Sequence, residues 1–214
     1  MNRTNDKHNH KDELQTNGAM QVKEALPVYD RGEYYTYADY CSWELEEGER
    51  WELIDGKAYK MSAPNLNHQR LAGEFYLQFA PFLKGKKCKV FFAPCDVRLN
   101  ADTLDDTVVQ PDVMVVCDEN KLSDGRTVVG APDLVIEVLS PSNPRHDTLL
   151  KYKKYMESGV PEYWAVDPRS KSVNVHILTD GKYITERYSE SDKVPVHVLP
   201  GFVIDSREVF AELR

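Results

Sequence analysis

The run Pro132-Asp133-Leu134-Val135-Ile136-Glu137-Val138-Leu139-Ser140, the lysine-rich segment from Asp147 to Ser158, and Gly159-Val160-Pro161-Glu162-Tyr163-Trp164-Ala165-Val166-Asp167 together decide the fold. The first is a short apolar, β-branched run that reads as a strand. The second carries Leu149, Tyr152, Tyr155 and Met156 at helical spacing, which predicts a helix with those four on its buried side. Gly159 and Pro161 end it. The third is again a strand, and a strand, helix, strand order of this length suits a right-handed parallel crossover.

Upstream, Gln110-Pro111-Asp112-Val113-Met114-Val115-Val116 reads as another strand, separated from the first by a polar loop from Asp118 to Gly130. Between Asn65 and Lys84, Leu71, Ala72, Phe75, Phe79 and Leu83 recur at helical spacing, and Lys89 to Leu99 resumes as a strand. Thr36 to Tyr40 opens a short helix that ends near Gly48, and Trp51 to Tyr59 reads as two strands about an Asp55-Gly56 turn. Downstream, Ser172 to Leu178, Tyr183 to Tyr188 and Val194 to Val203 look antiparallel and widen the sheet. The expectation is an α/β (α+β) domain with a mixed sheet over residues 31–214, preceded by a flexible tail over 1–30.

With 214 residues, 41% of them hydrophobic, the chain can bury one substantial core. It contains no apolar run of about 18 residues and its start lacks the apolar segment of a secretory signal, so the expected location is the cytoplasm, with no membrane partner. Cys41, Cys88, Cys95 and Cys117 follow no Cys-x-x-Cys spacing, which predicts reduced, mostly buried thiols in place of zinc ligands or disulfides. A formal net charge of −8 argues against a protein that coats nucleic acid nonspecifically, since phosphate rewards positive charge. Two basic runs, Lys84 to Lys89 and Arg145 to Lys154, read by themselves as solvated surface.

Strand side chains alternate, so Asp133, Val135, Glu137 and Leu139 share one face. Glu137 is then an acid in the centre of an apolar strand, and Asp112 is a similar exception on the strand upstream. A carboxylate inside a sheet is costly unless it is paired, protonated or bound to a cation. If the two strands are neighbours in register, both carboxylates converge, and Mg²⁺ prefers such hard oxygens while keeping room for water and a phosphate. Lys151 could orient or deprotonate the attacking water or neutralise charge developing on that phosphate, and Glu52 could be a fourth member, reaching the metal directly or through water. Blander readings stand beside these. Asp147 and Lys151 have the spacing of an ordinary i,i+4 helix pair, Asp147 could cap the helix, Asp133 looks structural, and His68 looks like a packed or capping residue.

Trp51-Glu52-Leu53-Ile54-Asp55-Gly56, His68, Gln110-Pro111-Asp112-Val113, Pro132 to Ser142, Asp147 with Lys151 and Tyr155, and Gly159 to Pro168 occur in an order and spacing that resemble one known family. That is the Uma-two family, a branch of the PD-(D/E)XK nuclease superfamily, and the resemblance covers about Thr36 to Val203. It implies a restriction endonuclease-like core and Mg²⁺-dependent hydrolysis of DNA phosphodiesters, with Mn²⁺ as a substitute metal. It also implies Asp112 and Glu137 as metal ligands and Glu52 as the additional acid. The superfamily lysine two residues after the Glu is here Leu139, so the resemblance assigns the ammonium to Lys151, with Lys154 as second choice. A catalytically silent nuclease-fold binding or regulatory module, or a hydrolase of another phosphate ester, fits the same residues. The need to address two DNA strands points to a homodimer.

Overall fold

The computed structural model describes residues 33–140, 146–211 and 213. The tail expected over residues 1–30 lies outside them, as do the side chains of residues 146–148, and with them the cap or pair expected of Asp147.

Two sheets carry the site. After α1 (Tyr37–Cys41), the smaller begins with β1 (Trp51–Ile54) and β2 (Lys57–Lys60), and the long α2 (Leu66–Leu83) follows. Then come β3 (Lys89–Phe92), β4 (Val97–Arg98), β5 (Val108–Val109) and β6 (Val113–Val116), a 3₁₀ turn at Glu119–Leu122, and β7 (Val128–Val129). The crossover is β8 (Leu134–Val138), α3 (His146–Glu157) and β9 (Glu162–Asp167), followed by β10 (Ser172–Thr179) and β11 (Lys182–Ser189). The chain closes with β12 (Lys193–Pro195), β13 (Val203–Asp205) and α4 (Ser206–Phe210). The strand orders are β2-β1-β5-β4-β7 and β11-β10-β9-β8-β6-β3, with β12-β13 as a separate pair. The larger sheet is mixed, because β8 and β9 are parallel while β8 and β6 are antiparallel.

Period-2 alternation divides the larger sheet between two cores. Val113, Val115, Leu134, Ile136 and Val138 face Leu71, Phe75 and Phe79 of α2, together with Val209 and Phe210 of α4. Met114, Val116 and Val135 face the other way, against Tyr155 of α3 and Ile54, Val97 and Val109 of the smaller sheet. Asn65 caps α2, its side chain accepting from the His68 N–H at 2.9 Å. Glu162, fully buried at the start of β9, is satisfied structurally: Trp164 Nε1 donates to one oxygen at 2.7 Å and the Val198 N–H to the other at 2.8 Å.

Several sequence expectations change. The first helix stops at Cys41, where the Ser42 N–H already caps its carbonyls, well before Gly48. The segment Lys89 to Leu99 is two strands in different sheets, broken at Ala93-Pro94. Val194 to Val203 divides into β12 and the loop to β13, which pair with each other outside the main sheet. Leu149 points to solvent at 70% exposure, since Lys151 and Tyr155 set the inward face of α3 and Leu149 lies on the opposite side. The expected reduced thiols hold only in part. Cys88 and Cys117 form a disulfide, because the register pairing Lys89 with Val116 sets them opposite each other, while Cys41 is an exposed free thiol and Cys95 a half-buried one. Among the described residues, no helix is long and apolar enough to cross a membrane.

Candidate active site

Asp112 and Glu137 meet because β6 and β8 are antiparallel neighbours. The register pairs Val113 with Ile136, so the next step sets Asp112 against Glu137, on the face shared by Met114 and Val135. Asp112 stands just before β6, where a mid-strand place was expected. Its Oδ2 accepts from the Val138 N–H at 2.7 Å and lies 3.2 Å from His68 Nε2. Glu137 is buried, and its register partner on β9 is the small Ala165.

Glu52 comes from the other sheet. The turn between β1 and β2 has Asp55 at φ 50° and Gly56 at φ 72°, the left-handed pair that a two-residue hairpin requires. The hairpin lies along β5, and Glu52 Oε1 accepts from the Gln110 N–H at 2.8 Å. Gln110 is supported in turn: its Nε2 donates to Asp96 Oδ1 at 2.9 Å, and the Tyr40 hydroxyl donates to the same oxygen at 3.2 Å.

Lys151 joins the two sheets. It was grouped with a solvated basic run, yet it is buried, with Nζ 2.8 Å from Glu52 Oε1 and 3.1 Å from Glu137 Oε1. Tyr155, one turn along the same face of α3, donates from its hydroxyl to Glu137 Oε1 at 2.6 Å. The second-choice lysine, Lys154, points elsewhere and pairs with Asp55 at 2.6 Å and Glu157 at 2.9 Å. Asp133 is structural, its Oδ2 accepting from the Cys117 N–H at 2.7 Å.

The charges follow from this packing. Burial pushes the Glu137 carboxyl up to about 7, against the pull of Lys151, and the nearby acids Asp112 and Glu52 push the same way. Burial works against the Lys151 ammonium, but Glu137 and Glu52 outweigh it and hold the pKa well above its ordinary value. His68 behaves alike: burial disfavours its charge, and the hydrogen bond and charge of Asp112 raise its pKa nonetheless.

Glu52, Asp112, Glu137 and Lys151 are thus brought together. Sequence reasoning underrated two neighbours, His68 and Tyr155. The spacing of Tyr155 from Lys151 carried a signal for one, and the start of a helical stripe carried only an ambiguous signal for the other.

The carboxylates are hard oxygen donors of the kind Mg²⁺ takes. Among the described residues, no group of three or more His, Cys, Asp or Glu is arranged to hold a metal ion. The oxygens of Asp112 and Glu137, opposed on adjacent strands, are a donor set whose chemistry suits a hard cation.

Comparison with known proteins bears on this arrangement. A family model described as "Uma2: Putative restriction endonuclease" matches residues 37–207. An uncharacterized protein of Synechocystis sp. is 28% identical over 158 residues, covering 73% of this chain and 81% of that one. A crystal structure from Anabaena variabilis, titled as a putative nuclease belonging to DUF820, superposes with a TM-score of 0.68 at 19% identity. It covers 84% of this chain and 99% of the Anabaena chain, and at that identity the likeness is one of fold.

Proposed function

The chain belongs to the Uma2 family, and from that membership we propose that it is a metal-dependent endonuclease that hydrolyses DNA phosphodiester bonds. The observation that carries this reading is the opposition of Asp112 and Glu137 on adjacent strands, with the Lys151 ammonium on the second carboxylate. Asp112 and Glu137 would hold Mg²⁺, or Mn²⁺ in its place, with Glu52 as the additional acid. Such an ion would supply Lewis acidity at a phosphoryl oxygen and a more acidic water.

The chain's own groups do the rest. Glu52 and Glu137 favour the charged form of Lys151, so it donates hydrogen bonds and would offset negative charge gathering on the phosphate. Glu52 fixes that ammonium from the side of the smaller sheet. Tyr155 and Lys151 together orient Glu137, and His68 and the Val138 N–H orient Asp112. Donors set by a second layer of contacts hold their geometry better than isolated side chains.

The test is cleavage of supercoiled plasmid and single-stranded DNA with Mg²⁺ or Mn²⁺, using wild type beside Glu137→Ala and Lys151→Ala. Metal-dependent cutting that both variants lose is the expected result, with circular dichroism showing each variant folded. Cutting retained by Glu137→Ala would remove the assignment. A second copy is the simplest way to serve both strands of a duplex, so sedimentation across micromolar concentrations should reveal a dimer.

One observation favours a second reading. Lys151 already pairs with both Glu52 and Glu137 without any metal ion, and Leu139 stands where the superfamily has its lysine. A catalytically silent module would bind a partner and show no Mg²⁺ affinity at Asp112 and Glu137. Calorimetric titration with Mg²⁺ and Mn²⁺ separates the two.

A further inference from the structure

A cavity of about 620 Å³ opens at Asp112, which with His68 forms part of its wall. The rest includes Gly73 and Tyr76 of α2, Phe92 at the end of β3, and Arg50 just before β1. Its volume lies within the range of about 300–1,000 Å³ usual for small-molecule sites.

Gly73 is the informative member. A glycine inside a helix costs about 1 kcal/mol relative to alanine, so it needs a reason. Its φ is not in the left-handed region, and a Cβ placed on it would meet no atom within 4 Å. Neither backbone conformation nor close packing explains it, and what its missing side chain leaves is room in the cavity wall. Tyr76 and Phe92 supply aromatic surface there, in edge contact with centroids 4.9 Å apart, and Phe92 is 56% exposed. Among the described residues, the Arg50 guanidinium has no ion pair or side-chain hydrogen bond, so a cation stands ready at the rim.

We propose that this cleft receives one unpaired nucleobase of the substrate strand, next to the phosphate that meets Asp112 and Glu137, and so selects single-stranded or locally unpaired DNA. Aromatic faces and a guanidinium bind any base by stacking and cation–π attraction. A base inside a duplex is stacked away from such a pocket and enters it only once flipped out. The substrate named here rests on the endonuclease reading above.

Binding is measured in EDTA, where no cutting occurs, with a fluorescein-labelled oligothymidylate, the same strand carrying central abasic sites, and a duplex of equal length. The intact single strand should bind about tenfold more tightly than the abasic one. Gly73→Leu fills the cleft and should erase that preference without lowering the melting temperature; Tyr76→Ala should weaken the preference by removing stacking surface, and it decides the matter if Gly73→Leu does not fold. Equal affinity for intact and abasic strands would overturn the proposal. So would Gly73→Leu that keeps the preference while shifting sedimentation, since the cleft would then seat a second copy of the chain. Base preference without any cleavage leaves the subsite standing and removes the nuclease reading, and duplex cleavage without base preference does the reverse.

Discussion

One ammonium at Lys151 compensates two buried acids from two sheets, Glu52 at 2.8 Å and Glu137 at 3.1 Å. Removing one partner of a buried pair leaves uncompensated charge, which typically costs about 3–5 kcal/mol. Lys151→Met should therefore lower the unfolding free energy in urea by about that much, and adding Glu52→Gln should recover part of the loss. Glu137 gives a pH dependence of definite sign. Its carboxyl has an ordinary pKa of 4.5 and is raised to about 7 in the fold by burial, so the folded state holds the proton more tightly. This contribution to stability is present below 4.5 and is lost as pH rises through about 7. Thermal melts in EDTA should show that decline, and Glu137→Gln should flatten it. On the metal-dependent reading proposed above, Glu137 must lose its proton to ligate, so Mg²⁺ affinity measured by calorimetry should weaken as pH falls below about 7.

At the level of single elements, α2 is set by its cap and the β1–β2 hairpin by its turn. Asn65→Ala should cost about 1 kcal/mol in a denaturant titration, because the His68 N–H loses its acceptor. Gly56→Ala should cost more than about 1 kcal/mol, since φ 72° strains any Cβ and that Cβ would enter the Tyr34 ring. Elements of this kind were legible from sequence where one rule dominated: the Asp55-Gly56 turn, the apolar stripe from Leu71 to Leu83, and the β8–α3–β9 crossover. Legibility failed where tertiary contacts decide. Leu149 has the periodicity of a core residue but is turned outward by the polar anchors Lys151 and Tyr155. The joining of Cys88 to Cys117 depends on strand register, which single-sequence spacing does not contain. For the site, alternation identified Asp112 and Glu137 as acids out of place, whereas the hydrogen bonds of His68 and Tyr155 needed the fold.

Over the whole molecule, the smaller and larger sheets meet at a shared core and at the Glu52–Lys151–Glu137 bridge. They should therefore unfold together. Trp51 reports on one sheet and Trp164 on the other, so variants retaining a single one of these tryptophans should give coincident denaturation curves, and Lys151→Met should separate them. The order in which the bridge is assembled also matters during synthesis. Glu52, Asp112 and Glu137 leave the ribosome before Lys151, which follows Glu137 by 14 positions, and β9, which fixes the far end of α3, emerges after that. A chain made only as far as Glu137 thus carries its acids without their cation, in a sheet still lacking β9, β10 and β11. The cluster closes only after Lys151 and the strand that fixes the far end of its helix have both been made, so the acids acquire their compensating charge late and all at once.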